Sequence, residues 1–183
     1  MDKFLLSKDN CILVIVDIQE RLANAMNVKD SVINNCLHLI ELAKMYAIPI
    51  LLTEQYPKGL GRTVEEIQKA VPDYNPVEKT SFSCCGECGF VDKLRESGRK
   101  TVVLTGMETH VCVLQTCIEL MKDGLNVHLV KDAVCSRTKE NWKTGTEFMR
   151  DAGAVITCTE TVLFQLLGAA GSEEFRAISK RIR

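Results

Sequence analysis

The chain carries no excess of either charge. Lysine and arginine number 23 and aspartate and glutamate 24, a formal net charge of −1, so no basic surplus points to nucleic acid as a partner. No apolar run approaches the roughly 18 residues that a membrane span requires, so no membrane partner is expected. The opening MDKFLLSKDN is too short and too polar for a secretory h-region. The expected compartment is therefore the cytoplasm or another reducing space. Histidine is scarce: His38, His110 and His128 fall in a helix, a loop and a strand, without metal-ligand spacing. No metal and no cofactor is expected. No repeat, low-complexity tract or linker divides the 183 residues. One domain is expected over residues 1–183, with a core at about 11–167 and a charged, helical tail at 172–183.

Cysteine is what the chain has in quantity. There are nine, an odd number, and their neighbours read as strand and helix interiors rather than as a loop-rich disulfide framework. Most are expected to be reduced and buried.

Apolar runs alternate with helical periodicity along the whole chain. Strands are predicted at 11–16, 48–53, 77–82, 101–104, 126–130 and 154–158. Helices fall between them at 29–46, 63–70 (with Thr63 as N-cap), 90–97, from 111 to about 123, 138–152 and from 161. Such alternation predicts a three-layer α/β/α sandwich with a six-stranded, mostly parallel sheet in the order 3-2-1-4-5-6. In such sheets ligands bind beyond the carboxyl ends of the strands, at the switch point between the first and fourth.

Thr101 to Asp123, TVVLTGMETHVCVLQTCIELMKD, is the stretch around which the rest is arranged. A buried strand ends at Thr105-Gly106, and Val111, Leu114, Ile118 and Met121 then recur at helical spacing. Cys112 stands in the first turn, where the helix dipole favours thiolate. Position alone fits a small core residue as well. Asp17 lies just past the first strand and also fits a turn former. Lys79 lies in or after the third strand and also fits a solvated side chain. Placed on one sheet edge, the three make a charge-coupled nucleophile site: Asp17 takes the thiol proton, Lys79 holds Asp17, and the sulfur attacks a carbonyl.

The segments that carry these residues resemble a known family. Ile12 to Gln19 is similar to the opening "VIDxQ" strand of the isochorismatase-like cysteine hydrolases, Glu78 to Ser83 to their lysine segment, and Leu104 to Val113 to their nucleophile loop. The resemblance runs from about Cys11 to Leu167, in the family's order and spacing. It implies Cys112 as nucleophile, Asp17 as general base and Lys79 as the third catalytic residue. It also implies a cis peptide between Met107 and Glu108, and an oxyanion hole built from the backbone N–H groups of Glu108 and Cys112. The metal cluster of the family's nicotinamidases has no counterpart in Thr53 to Gly61. A cysteine at position 112 argues against vinyl-ether hydrolysis. The activity implied is metal-independent hydrolysis of the C–N bond of a small amide or ureide through a thioester, in a homo-oligomer.

Gln19, Gln55 and Tyr56 lie near the predicted rim and are candidate substrate contacts. Cys84-Cys85-Gly86-Glu87-Cys88 holds a C-x-x-C without a second pair, so zinc is not expected. A thiol-redox role for this loop, with Cys85 or Cys88 bridging to Cys112, is one alternative. Another is a binding or scaffold module of the same fold without turnover. Trp142 and Phe148 are expected on the packed side of their helix.

Overall fold

A computed structural model describes residues 2–182. Six strands, β1 (Cys11–Val16), β2 (Ile50–Gln55), β3 (Val77–Lys79), β4 (Thr101–Met107), β5 (Asn126–Cys135) and β6 (Val155–Thr157), form one sheet. Their order is β3-β2-β1-β4-β5-β6, and every pairing is parallel. This is the order and direction that the alternation predicts. β1 and β4 are buried at every residue, as central parallel strands covered on both faces must be.

The helices in chain order are α1 (Glu20–Asn24), α2 (Lys29–Met45), α3 (Pro57–Leu60), α4 (Glu65–Ala70), α5 (Cys88–Glu96), α6 (Leu114–Lys122), α7 (Lys139–Asp151), α8 (Thr159–Leu167) and α9 (Glu173–Arg181). Alternate strand residues face opposite layers. Leu13, Ile15 and Val103 pack with the apolar residues of α2, α4 and α8. Ile12, Val14 and Leu104 pack with those of α5, α6 and α7. The charged C-terminal segment joins the first layer, since Ile178 of α9 is buried among the α2 side chains.

Several elements depart from the sequence reading. β2 starts and ends two residues later than expected, because Ile48-Pro49 serves as the lead-in. β5 runs five residues beyond Val130. The charged pair Lys131-Asp132 hides that continuation, and a register shift between Leu104 and Gly106 lets Val134 and Cys135 pair with Gly106 and Met107. Thr63 does not cap α4, whose N-cap is Val64. Instead its N–H and hydroxyl both donate to the buried Glu54 carboxylate, at 2.7 and 2.8 Å. Phe148 is 57% exposed. The packed stripe of α7 is Gly145, Thr146 and Met149, and Phe148 lies about 100° round the helix from Met149.

Candidate active site

The carboxyl ends of β1, β2, β3 and β4 bring together the residues that the switch-point rule singles out. β1 and β4 are direct neighbours, with Val16 opposite Gly106. Gly106 must be glycine there. Its φ is +123°, and a Cβ would lie 2.1 Å from the Val16 carbonyl oxygen. The two strand ends can therefore close on each other and carry their loops to one point.

Asp17 follows Val16 in a left-handed conformation, φ +50°. Non-glycine residues rarely adopt it, and where they do the surroundings hold them. Here the hold is explicit. Asp17 is fully buried; the Thr53 hydroxyl donates to its Oδ1 at 2.7 Å, and Lys79 Nζ lies 2.7 Å from its Oδ2. Lys79, also buried, donates to Gln55 Oε1 at 2.6 Å and to the carbonyls of Ser81 and Phe82 at 3.2 and 3.1 Å. An ammonium so surrounded has its N–H groups satisfied, which a buried charge requires.

Cys112 stands in a one-turn π-helix, Thr109–Val113, that leads into α6. Its thiol stands close enough to Asp17 and Lys79 for both charges to act on it, and it is 6% exposed. The Met107–Glu108 peptide just upstream is cis. Three contacts hold this turn from outside. Arg137 donates to Glu108 Oε2 from its backbone N–H at 2.9 Å and its Nε at 3.2 Å. Ser136 Oγ lies 2.9 Å from His110 Nδ1. Gly145 of α7 packs so closely that a Cβ there would lie 2.9 Å from His110 Cα.

The electrostatics differ from a helix-activated thiolate. Burial pushes the Cys112 thiol up to about 12; the Asp17 charge adds to the rise and Lys79 opposes it. Burial also raises the Asp17 carboxyl, against the lowering by Lys79 and Thr53. For Lys79, burial works against the ammonium, but the Asp17 carboxylate more than offsets it and the net shift is upward. Burial thus opposes the thiolate that the helix dipole favours and makes the neighbouring Asp17 carboxyl more basic than usual. A π-turn in a dry pocket places desolvation above the dipole.

The three candidate substrate contacts lie apart in character. Gln19 is fully buried. Its Nε2 donates to the Gln55 and Gly61 carbonyls at 3.0 and 2.7 Å, and its Oε1 accepts from the Gln55 N–H at 2.7 Å. It braces the end of β2 rather than facing a ligand. Gln55 has its Oε1 on Lys79 and its Nε2 on the Thr80 carbonyl at 2.8 Å, so it orients the lysine. Tyr56 is 56% exposed at the rim, with Gly59 against its ring.

Sequence reasoning missed Thr53, which shares Asp17 with the lysine, and Cys84. Cys84 is the one buried member of the 84–88 cysteine cluster. Its Sγ lies 3.7 Å from Thr53 Oγ1. Cys88 is exposed and Cys85 half-buried, so the loop turns its first cysteine, not its last two, toward the site. A threonine inside an apolar strand gives little signal. Only the side-chain alternation from Thr53 to Gln55, at the end of a strand beside β1, could have marked one edge as polar. Among the described residues no cluster of three or more His, Cys, Asp or Glu side chains is arranged to hold a metal ion.

The chain is similar to known proteins along nearly all of its length. The isochorismatase domain matches residues 11–161. Isochorismatase family protein 1A of Dictyostelium discoideum is 37% identical over 178 residues, 94% of this chain and 86% of that protein. A secreted isochorismatase effector of Phytophthora sojae is 39% identical over 178 residues, 94% of this chain and 84% of that protein. Among solved structures, the MAR1 ribonuclease of Caenorhabditis elegans superposes with a TM-score of 0.90 at 36% identity, covering 97% of this chain and 92% of that one. A domain match over most of the chain, relatives above 30% identity along nearly all of it, and the same parallel sheet together place the chain in the isochorismatase family of α/β hydrolases.

Proposed function

We propose that the protein is a metal-independent cysteine hydrolase that cleaves the C–N bond of a small amide or ureide. The observation that carries this reading is the buried Asp17–Lys79 pair, 2.7 Å apart, with Cys112 near enough that the Asp17 charge acts on its thiol. A thiol held up to about 12 needs a base at the moment of attack, and Asp17, raised by burial, is that base. The proton passes from Cys112 to Asp17 as sulfur bonds to the carbonyl carbon. The oxyanion is received by the backbone N–H groups of Glu108 and Cys112, as the family resemblance implies. Asp17 returns the proton to the leaving nitrogen, and water then resolves the thioester. Lys79 stays charged throughout and keeps Asp17 in place. Gln19 and Gln55 act behind this machinery, and Tyr56 is left as the rim contact.

The name ribonuclease, carried by the C. elegans relative, is not extended to this chain. Its net charge is −1, and a buried thiol–carboxylate pair is suited to a carbonyl rather than to a phosphodiester. Nor do Cys85 and Cys88, half-buried and exposed, support a redox centre at the triad. A reducing compartment suits the nine unpaired cysteines, and among the described residues no helix is long and apolar enough to cross a membrane. Self-association is part of the proposal, supported by the exposed Phe148 and Phe164; light scattering measures it.

Covalent trapping tests the reading. Wild type incubated with an electrophilic amide analogue gains one adduct mass, and Cys112→Ala gains none. An adduct of equal size on Cys112→Ala removes the cysteine from its role. A panel of small amides and ureides, screened by ammonia release, then identifies the substrate.

A further inference from the structure

A cavity of about 520 Å³ opens between the first turns of α2 and the β5–α7 connection. Asp17, Lys79 and Cys112 do not line it. Val32, Val134 and Trp142 give it apolar walls, and Lys131, Arg137 and Lys139 stand around them. The one carboxylate in the lining, Asp132, is already engaged. Its Oδ1 accepts from the N–H and hydroxyl of Thr159 at the start of α8, at 2.8 and 3.0 Å. Among the described residues neither Lys131 nor Lys139 is ion-paired. Arg137 holds Glu108 through its backbone N–H and Nε alone, so its terminal guanidinium nitrogens remain for another acceptor. The Trp142 indole N–H donates to the Lys131 carbonyl at 3.1 Å, which ties the ring to the strand as a wall.

We propose that this cavity binds a small amphipathic anion, a carboxylate with an apolar body. The body lies against Trp142, Val32 and Val134, and the charge meets the guanidinium fork of Arg137 flanked by the two lysines. A concave apolar site with a few converging polar groups is how small-molecule sites are built, and an arginine fork matches a carboxylate in geometry as well as charge. The surplus of unpaired cations over an engaged carboxylate selects an anion over a neutral ligand of the same shape. The site is joined to the nucleophile turn, because Ser136 and Arg137 in its wall bond His110 and Glu108. The proposal does not depend on the role of Cys112.

The chain supplies its own probe, since Trp142 is its only tryptophan. Purified protein is titrated at pH 7 with benzoate and, separately, with benzamide, following tryptophan emission. Benzoate is expected to give a saturable change, with benzamide about 10-fold weaker or more, the scale of one charge-assisted contact. Lys131→Ala/Lys139→Ala, two exposed positions, is expected to weaken benzoate several-fold, and Cys112→Ala to leave it unchanged. No saturable change, equal affinity for benzamide, or an unaltered double variant would overturn the proposal. So would emission that shifts on dilution of the protein alone and loses its benzoate response at high concentration, which would mean that a second copy covers the cavity.

Discussion

The chemistry of Cys112 is decided by what surrounds one sulfur atom. It is nearly inaccessible, and burial holds its proton firmly. Alkylation by a small reagent therefore ranks the cysteines by access rather than by catalytic importance. With iodoacetamide at pH 7.5, followed by peptide mass spectrometry, Cys88, which is exposed, is expected to react well before Cys112. Modification of Cys112 ahead of Cys88 would mean a resting thiolate and a different account of the site. At this scale the sequence was readable where chemistry is rare. Aspartate and cysteine just past two apolar strands, with a lysine in a short third one, stand out because such residues are seldom buried without a reason. Thr53, Glu54 and Gln55 do not stand out, since their roles exist only once β2 lies beside β1. The direction of the Cys112 shift was not readable either. It depends on how dry the pocket is, which no local pattern encodes.

Helix α7 is the element that most directly sets the turn carrying Cys112. Gly145 meets the backbone of His110, and a Cβ would stand 2.9 Å from His110 Cα and 3.0 Å from the Thr109 carbonyl oxygen. The neighbours at that point are backbone and cannot rotate away. Gly145→Ala is thus expected to push the turn and the helix apart by a few tenths of an ångström or more. Displacements of about 1 Å at a reacting group cost on the order of 100-fold in rate. The expected outcome is a large fall in turnover of an amide found by the panel screen, with thermal unfolding changed by only a few degrees. A variant with turnover intact would show that the turn tolerates the shift. The sequence pattern placed α7 within a residue of its observed limits. Trp142 packs against the core as expected but Phe148 does not, and the most buried stripe is Gly145 and Thr146 with Met149. Small residues at a close helix contact leave no hydrophobic signature. β5 failed for the converse reason: charged Lys131 and Asp132 interrupt its apolar run, although the strand continues through them to Cys135.

Across the whole molecule the thiols act in concert. Burial raises Cys11 and Cys85 to about 11, and Cys36, Cys84, Cys112, Cys117 and Cys135 to about 12. An acid whose folded pKa lies above its unfolded value binds its proton more tightly in the native state. Its contribution is complete below the unfolded value, about 9, and is lost as pH rises from there through the folded value. Each such thiol lowers stability by about 1.4 kcal/mol per pH unit in that window. Urea denaturation is therefore expected to show a steep fall in midpoint between pH 9 and 11, and a nearly flat response from pH 7 to 8.5. A midpoint that holds to pH 10.5 would contradict the burial of these groups. The overall architecture was legible because periodicity and strand alternation are properties of long segments and survive local errors. The sheet order was that of the doubly wound arrangement which alternating strands and helices favour.

The locked proton on Cys112 also bears on endurance. Peroxides and soft electrophiles consume thiolates, and burial holds the Cys112 proton so firmly that little thiolate is offered to them at pH 7. On the proposed mechanism the sulfur is disarmed until a carbonyl arrives that Asp17 can help it attack, so idling costs it little. On that mechanism the protein is expected to keep its activity through an oxidative burst that would silence a thiolate enzyme, its working life set by how often it turns over rather than by how long it waits.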